Sequence, residues 1–122
     1  MYSTQVLDHF RAPHGAGALP DADALGRAEN PVCGDVLELG LRVAGGVIVE
    51  ARFRAQGCVP LIACGSRLTD MARGLTLAEA AALAPRVLAD SLGGLPAGSA
   101  HAAQLAVEAL RAAVRSVGAR AA

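Results

Sequence analysis

Two thiols, a carboxylate and an imidazole stand where a metal ion could use them. Cys33 and Asp35 flank Gly34 in the stretch Asn30-Pro31-Val32-Cys33-Gly34-Asp35. Cys58 follows Gln56-Gly57, and His101 opens the last apolar, helix-periodic segment. Thiolate, carboxylate and imidazole are the side chains that ligate zinc and iron. Their use depends on whether the elements between them bring three distant points together.

Those elements can be read from the apolar pattern. Val36 to Val43 alternates, with Leu37, Leu39, Leu41 and Val43 on one face and Glu38 and Arg42 on the other. Gly45-Gly46 turns the chain. Val47 to Ala55 then places Val47, Val49, Ala51 and Phe53 on one side and Glu50, Arg52 and Arg54 on the other. The pattern predicts an antiparallel hairpin with one buried face. A hairpin sets the start of its first strand beside the end of its second. Cys33 and Cys58 are therefore expected at one end of the sheet, with Asp35 able to return to that end. The spacing does not fix where the helix carrying His101 begins.

Around the hairpin the sequence predicts helices. Tyr2 to Phe10 is a short one, capped by Ser3 and ended by Pro13. His14 to Asn30 reads as a loop, with room for a short edge strand near Arg27. A helix follows Pro60, on which Leu61, Cys64, Leu68 and Met71 recur at helical spacing until Gly74. Thr76-Leu77-Ala78-Glu79 is a capping-box pattern opening a third helix. Ser91 to Ser99 is a Gly/Pro loop, and the last helix runs from about Ala100 to Arg115. Its inner side is Leu105, Ala109, Leu110, Val114 and Val117. This is an α+β fold: a small antiparallel sheet covered on one face by helices, in a single domain over 1–122.

Composition bounds the function. The 122 residues carry 11 basic and 11 acidic side chains, every basic one an arginine. That balance argues against a dedicated nucleic-acid or membrane-surface protein. Three cysteines are an odd number and do not suggest a disulfide framework. The first residues are polar and no apolar run approaches the ~18 residues of a membrane span. A cytoplasmic protein with reduced thiols is the expectation.

Each candidate has a plainer reading. Cys33 and Cys58 sit beside glycines at element ends, where function is commoner than packing. Asp35 is either a ligand or a turn residue capping nearby N–H groups. His101 is either a ligand or a surface residue of a first helical turn. Cys64 belongs to an apolar stripe and reads as core. Cys58, just ahead of a helix start, lies where the helix dipole favours a thiolate.

Taken as an ordered set, Cys33-Gly34-Asp35, then Gly57-Cys58, then Leu95-Pro96 leading to His101, resembles the U-type iron–sulfur cluster assembly scaffolds, IscU and the N-terminal domain of NifU. Tyr2-Ser3, Val6, Asp8-His9-Phe10 and Pro13 fit the same resemblance, which runs through nearly the whole chain. It implies the SufE/NifU-like sandwich fold. It also implies metal ligation by Cys33, Asp35, Cys58 and His101, holding a transient iron–sulfur cluster or zinc. Sulfur would come from a cysteine desulfurase, with Cys33 and Cys58 as the acceptor candidates, and apo iron–sulfur proteins would receive the product.

Two departures from the family stand out. Relatives carry a cysteine directly after the histidine, and here the residue is Ala102. Bacterial relatives carry Leu-Pro-Pro-Val-Lys ahead of the histidine, read by a specialised Hsp70 chaperone. Here the segment is Leu95-Pro96-Ala97-Gly98-Ser99, which argues against chaperone recognition. The leading expectation is a non-enzymatic scaffold. Its alternative is a degenerate zinc-binding paralogue, acting as a regulatory or binding module or a sulfur acceptor without cluster assembly. A cysteine-nucleophile enzyme using Cys, His and Asp has no further motif behind it.

Overall fold

The computed structural model describes residues 1–121, with side chains described as far as Val117. Its sheet has three antiparallel strands in sequence order: β1 Ala24–Asn30, β2 Asp35–Ala44 and β3 Val47–Gln56. The helices are α1 Thr4–Arg11, α2 Val59–Ala72, α3 Leu77–Ala82, α4 Pro85–Ser91 and α5 Ala100–Ala121, with a 3-10 turn at Ala97–Ser99.

The expected hairpin is β2–β3, turned at Gly45 and Gly46, both at positive φ. Leu37, Leu39 and Leu41 are buried as the alternation requires. The expected inward face of β3 is corrected at its start. A register shift after Arg42 pairs Val43 with Ile48, so Val49 is the extra residue of a bulge. Ile48 is buried in its place and Val49 is exposed, while Ala51 and Phe53 face inward as expected.

The stretch after α1 is more ordered than a loop reading allows. Its second half is the seven-residue edge strand β1, paired along its full length with β2. Its first half lies along the outer edge of β3. There Phe53 N donates to Gly15 O at 2.8 Å, and Gly17 N donates to Phe53 O at 2.9 Å. That covers main-chain groups which an open edge would leave unpaired.

Helices α2 and α5 lie across the sheet; α1 packs on α2, while α3 and α4 pack on α5. Ser3 caps α1 by accepting from Val6 N at 3.0 Å, and Thr76 and Glu79 complete the capping box of α3. Pro85 divides the expected third helix into α3 and α4, because a proline ring does not fit a helix interior. One cluster of buried side chains joins all of these elements, including Leu37, Leu61, Leu68, Leu88, Val107 and Leu110.

Two glycines set how closely the layers approach. A Cβ on Gly26 would lie 2.1 Å from the carbonyl oxygen of Ala109 and 2.4 Å from the nitrogen of Ala113. The backbone of α5 therefore rests directly on β1. A Cβ on Gly65 would meet the Phe53 ring at 2.5 Å, so α2 sits on β3 in the same way. These contacts set how closely α5 approaches β1 and α2 approaches β3.

Candidate metal centre

The end of the sheet where β1 finishes, β2 begins and β3 finishes gathers the residues singled out by type. Asn30 pairs with Asp35 across β1 and β2, and Val36 pairs with Gln56 across β2 and β3. Between β1 and β2 the chain makes a tight turn. Gly34 N donates to Asn30 O at 2.8 Å, and the Asn30 side chain accepts from Val32 N at 3.1 Å. Gly34 has φ +76°, a left-handed conformation that suits glycine. The turn leaves Cys33 exposed, its thiol 3.9 Å from Asn30 O.

Asp35 is the hub. Its side chain is buried, unlike the exposed cysteines beside it. Asp35 Oδ2 lies 3.4 Å from His101 Nε2 and 3.9 Å from Cys58 Sγ. Cys33, Asp35 and His101 present ligating atoms that all fall within 4.8 Å of one another. Cys58 stands outside that set of three and reaches it through Asp35. The chain can approach the carboxylate from β3 because residue 57 is glycine: a Cβ there would lie 2.6 Å from Asp35 Oδ1.

Cys58 is the N-cap residue of α2, and its thiol makes no capping hydrogen bond. It is exposed and free to act as a ligand or nucleophile. His101 arrives from the first turn of α5, half exposed, and α5 packs directly on β1 where a Cβ on Gly26 would strike Ala109 O. Two sulfurs, one nitrogen and one oxygen make a set that a tetrahedral zinc ion accepts. With thiolates to supply the iron ligands, the same set also suits an iron–sulfur cluster.

Two residues lie apart from this group. Cys64 is fully buried on α2, and burial first, then the neighbouring Cys58, pushes its thiol up to about 12. It is a core residue, as its apolar stripe implied. Ala102, beside His101, is also fully buried.

A further set of candidate ligands carried no signal in the sequence. His9, His14 and Asp70 also bring three ligating atoms within 4.8 Å of one another. Asp70 is far from the histidines in the chain, and only the packing of α1 on α2 unites them.

The chain is similar to known proteins in both sequence and fold. Residues 1–122 match the family model described as NifU-like N terminal domain. Over 114 residues the chain is 41% identical to the iron-sulfur cluster assembly scaffold protein IscU 1 of Archaeoglobus fulgidus, covering 93% of this chain and 74% of that protein. It is 45% identical over 107 residues to the nitrogen fixation protein NifU of Cereibacter sphaeroides, covering 88% of this chain and 44% of that one. Among solved structures, a NifU-like N-terminal protein from Brucella abortus superposes with a TM-score of 0.78 at 18% identity, covering 97% of this chain and 94% of that one. That likeness is one of fold.

Proposed function

The chain belongs to the NifU-like N-terminal domain family, and from that premise we propose that it is an iron–sulfur cluster assembly scaffold. The observation that carries the reading is the meeting of the Asp35 carboxylate with His101 and Cys58, with Cys33 in reach of the first two. The cluster is the cargo here. Cys33 and Cys58 supply thiolates to its iron, and His101 and Asp35 supply a nitrogen and an oxygen where relatives have a third sulfur. Imidazole and carboxylate hold such iron less firmly than thiolate does. The site is also open to solvent at both cysteines. Both features favour release, which a scaffold needs.

Sulfur reaches the site as a persulfide from a cysteine desulfurase, and an external electron donor supplies the two electrons that release each persulfide sulfur as cluster sulfide. The exposed thiols Cys33 and Cys58 are the acceptors, and buried Cys64 is not. Apo iron–sulfur proteins take the finished cluster. Chaperone recognition is not part of this reading, because Leu95-Pro96 runs into a 3-10 turn of Ala97, Gly98 and Ser99 rather than the proline and basic residue of the chaperone motif. Zinc occupies the same four donors when iron and sulfide are absent. We place the protein in a reducing cytoplasm, where its three free cysteines stay reduced. Among the described residues no helix is long and apolar enough to cross a membrane.

The reading as a zinc-only paralogue rests on Ala102 and on the altered segment Leu95-Pro96-Ala97-Gly98-Ser99. It is the weaker one, since Cys33, Asp35, Cys58 and His101 are all present and grouped at one end of the sheet.

The test is transfer. Protein loaded with iron and sulfide under anaerobic conditions is mixed with an apo ferredoxin, and the ferredoxin's own spectrum is followed. Recovery of holo-ferredoxin faster than from free iron and sulfide supports scaffold function. Recovery at the same rate as the free ions contradicts it.

A further inference from the structure

His9 lies near the C-terminal end of α1, His14 follows Pro13, and Asp70 lies on α2. One ring nitrogen from each histidine and a carboxylate oxygen of Asp70 lie within 4.8 Å of one another. At 1.5 Å per residue along α2, Asp70 stands about 18 Å from Cys58, so this group is separate from the cysteine site. We propose that His9, His14 and Asp70 form a second site, which binds a single divalent transition-metal ion of the zinc class. Two imidazoles and one carboxylate suit Zn²⁺, Co²⁺, Fe²⁺ or Ni²⁺. The set is too rich in nitrogen for Mg²⁺ or Ca²⁺, and it has no thiolate for a cluster.

The neighbours of the three side chains orient them as neighbours of metal ligands do. His9 Nδ1 is 2.6 Å from Ser66 Oγ, and the His14 backbone N donates to the same oxygen at 2.7 Å. A serine oxygen has two lone pairs and can accept both. Asp70 Oδ1 meets Arg73 at 3.3 Å, which leaves Oδ2 facing His14 Nδ1 at 2.6 Å. The two imidazole rings are 4.7 Å apart and inclined at 56°, so they converge rather than stack.

The backbone holds His14 in place. Thr69 Oγ1 donates to His14 O at 3.1 Å. Gly15 follows at φ +68°, and a Cβ there would strike Thr69 Oγ1 at 2.6 Å. Glycine at 15 lets the chain turn His14 toward Asp70.

The dimensions fit an ion after small movements. Ligands about 2.0–2.1 Å from a tetrahedral zinc sit roughly 3.4 Å from one another. The 2.6 Å contact between His14 and Asp70 therefore opens by less than an ångström, and the wider contacts close. His14 can make that movement, because 57% of its side chain is exposed. The ion takes the place of the contact between His14 Nδ1 and Asp70 Oδ2.

The experiment uses the full chain carrying Cys33→Ser and Cys58→Ser, so that the cysteine site contributes no thiolate. It is titrated with Co²⁺ and followed by visible absorbance, and with Zn²⁺ followed by calorimetry. The expected result is one ion per chain, with cobalt d–d bands and no thiolate-to-cobalt charge transfer. In the same background Asp70→Asn and His14→Gln each weaken binding at least tenfold, of the order seen when a metal site loses a contributing group. Asp70→Asn keeps the size of the side chain, and His14 is on the surface, so both variants fold. At the same Zn²⁺ concentration the melting temperature of the parent rises more than that of either variant. Absence of binding in the cysteine-free chain overturns the proposal, as does unchanged affinity in Asp70→Asn and His14→Gln.

Discussion

Asp35 Oδ2 lies 3.4 Å from His101 Nε2, joining the first residue of β2 to the first turn of α5. The same oxygen is 3.9 Å from the Cys58 thiol. Asp35 thus contacts donors at the N-terminal ends of both α2 and α5. Asp35→Ala removes a ligand and the link between two others. Its affinity for zinc at this site should fall at least tenfold, by the same order as other losses around metal ligands. Competition with a chromophoric chelator measures this. Unchanged affinity would show that the carboxylate only caps the turn.

Cys64 should behave as a small apolar residue. Cys64→Ala is expected to cost roughly 1 kcal/mol, as small cavities in a core do, and to leave metal content at the cysteine site intact. Because the thiolate is the reactive form and burial pushes this thiol up to about 12, Cys64 stays unreactive through the neutral range and becomes available only on unfolding. Mass spectrometry after iodoacetamide should count two modified cysteines in native protein and three in denaturant. Three in native protein would refute the assignment.

The part of this site carried by the hairpin was legible in the sequence. Alternation through Leu37, Leu39 and Leu41, with glycines at 45 and 46, was enough to put Cys33 and Cys58 at one end of a sheet. Other parts had little or no local signal. Strand β1 was legible only as a short edge strand near Arg27; its full length was not, because Gly26, Arg27, Glu29 and Asn30 have no strand preference and it is the edge of β2 that they pair with. The bulge at Val49 escaped notice because Val47 and Val49 alternate as well as Ile48 does. The position of His101 was not legible, since where α5 starts relative to the sheet depends on its packing on β1, which spacing does not reveal. The group of His9, His14 and Asp70 depends in the same way on the packing of α1 against α2.

The close approach of α5 makes Gly26 a sensitive position remote from the metal centre. Gly26→Ala drives a methyl group into the backbone of α5, and backbone has less freedom to yield than the end of a side chain. A loss of about 1–3 kcal/mol is expected, the usual cost of overpacking, read from urea denaturation. The displacement of α5 should also weaken zinc binding through His101. Wild-type stability in Gly26→Ala would contradict the close approach.

Ala102 stands where the family resemblance implies a cysteine, and it is buried beside the half-exposed His101. Ala102→Cys adds a third thiolate at the start of α5, at a cost of about 1–3 kcal/mol if the added sulfur overpacks the core. Thiolate binds cluster iron better than carboxylate or imidazole does. The variant should therefore hold a reconstituted cluster longer against a chelator than the native chain does. Equal lifetimes would mean that position 102 no longer faces the cargo.

Anaerobic reconstitution with ferrous iron and sulfide, followed by visible absorbance after removal of unbound ions, tests the scaffold reading most directly. The native chain should develop sulfide-to-iron charge-transfer bands. Cys33→Ala and Cys58→Ala should each lose them, and Cys64→Ala should keep them. A native chain that shows no such bands, or bands that survive loss of both Cys33 and Cys58, would contradict the account.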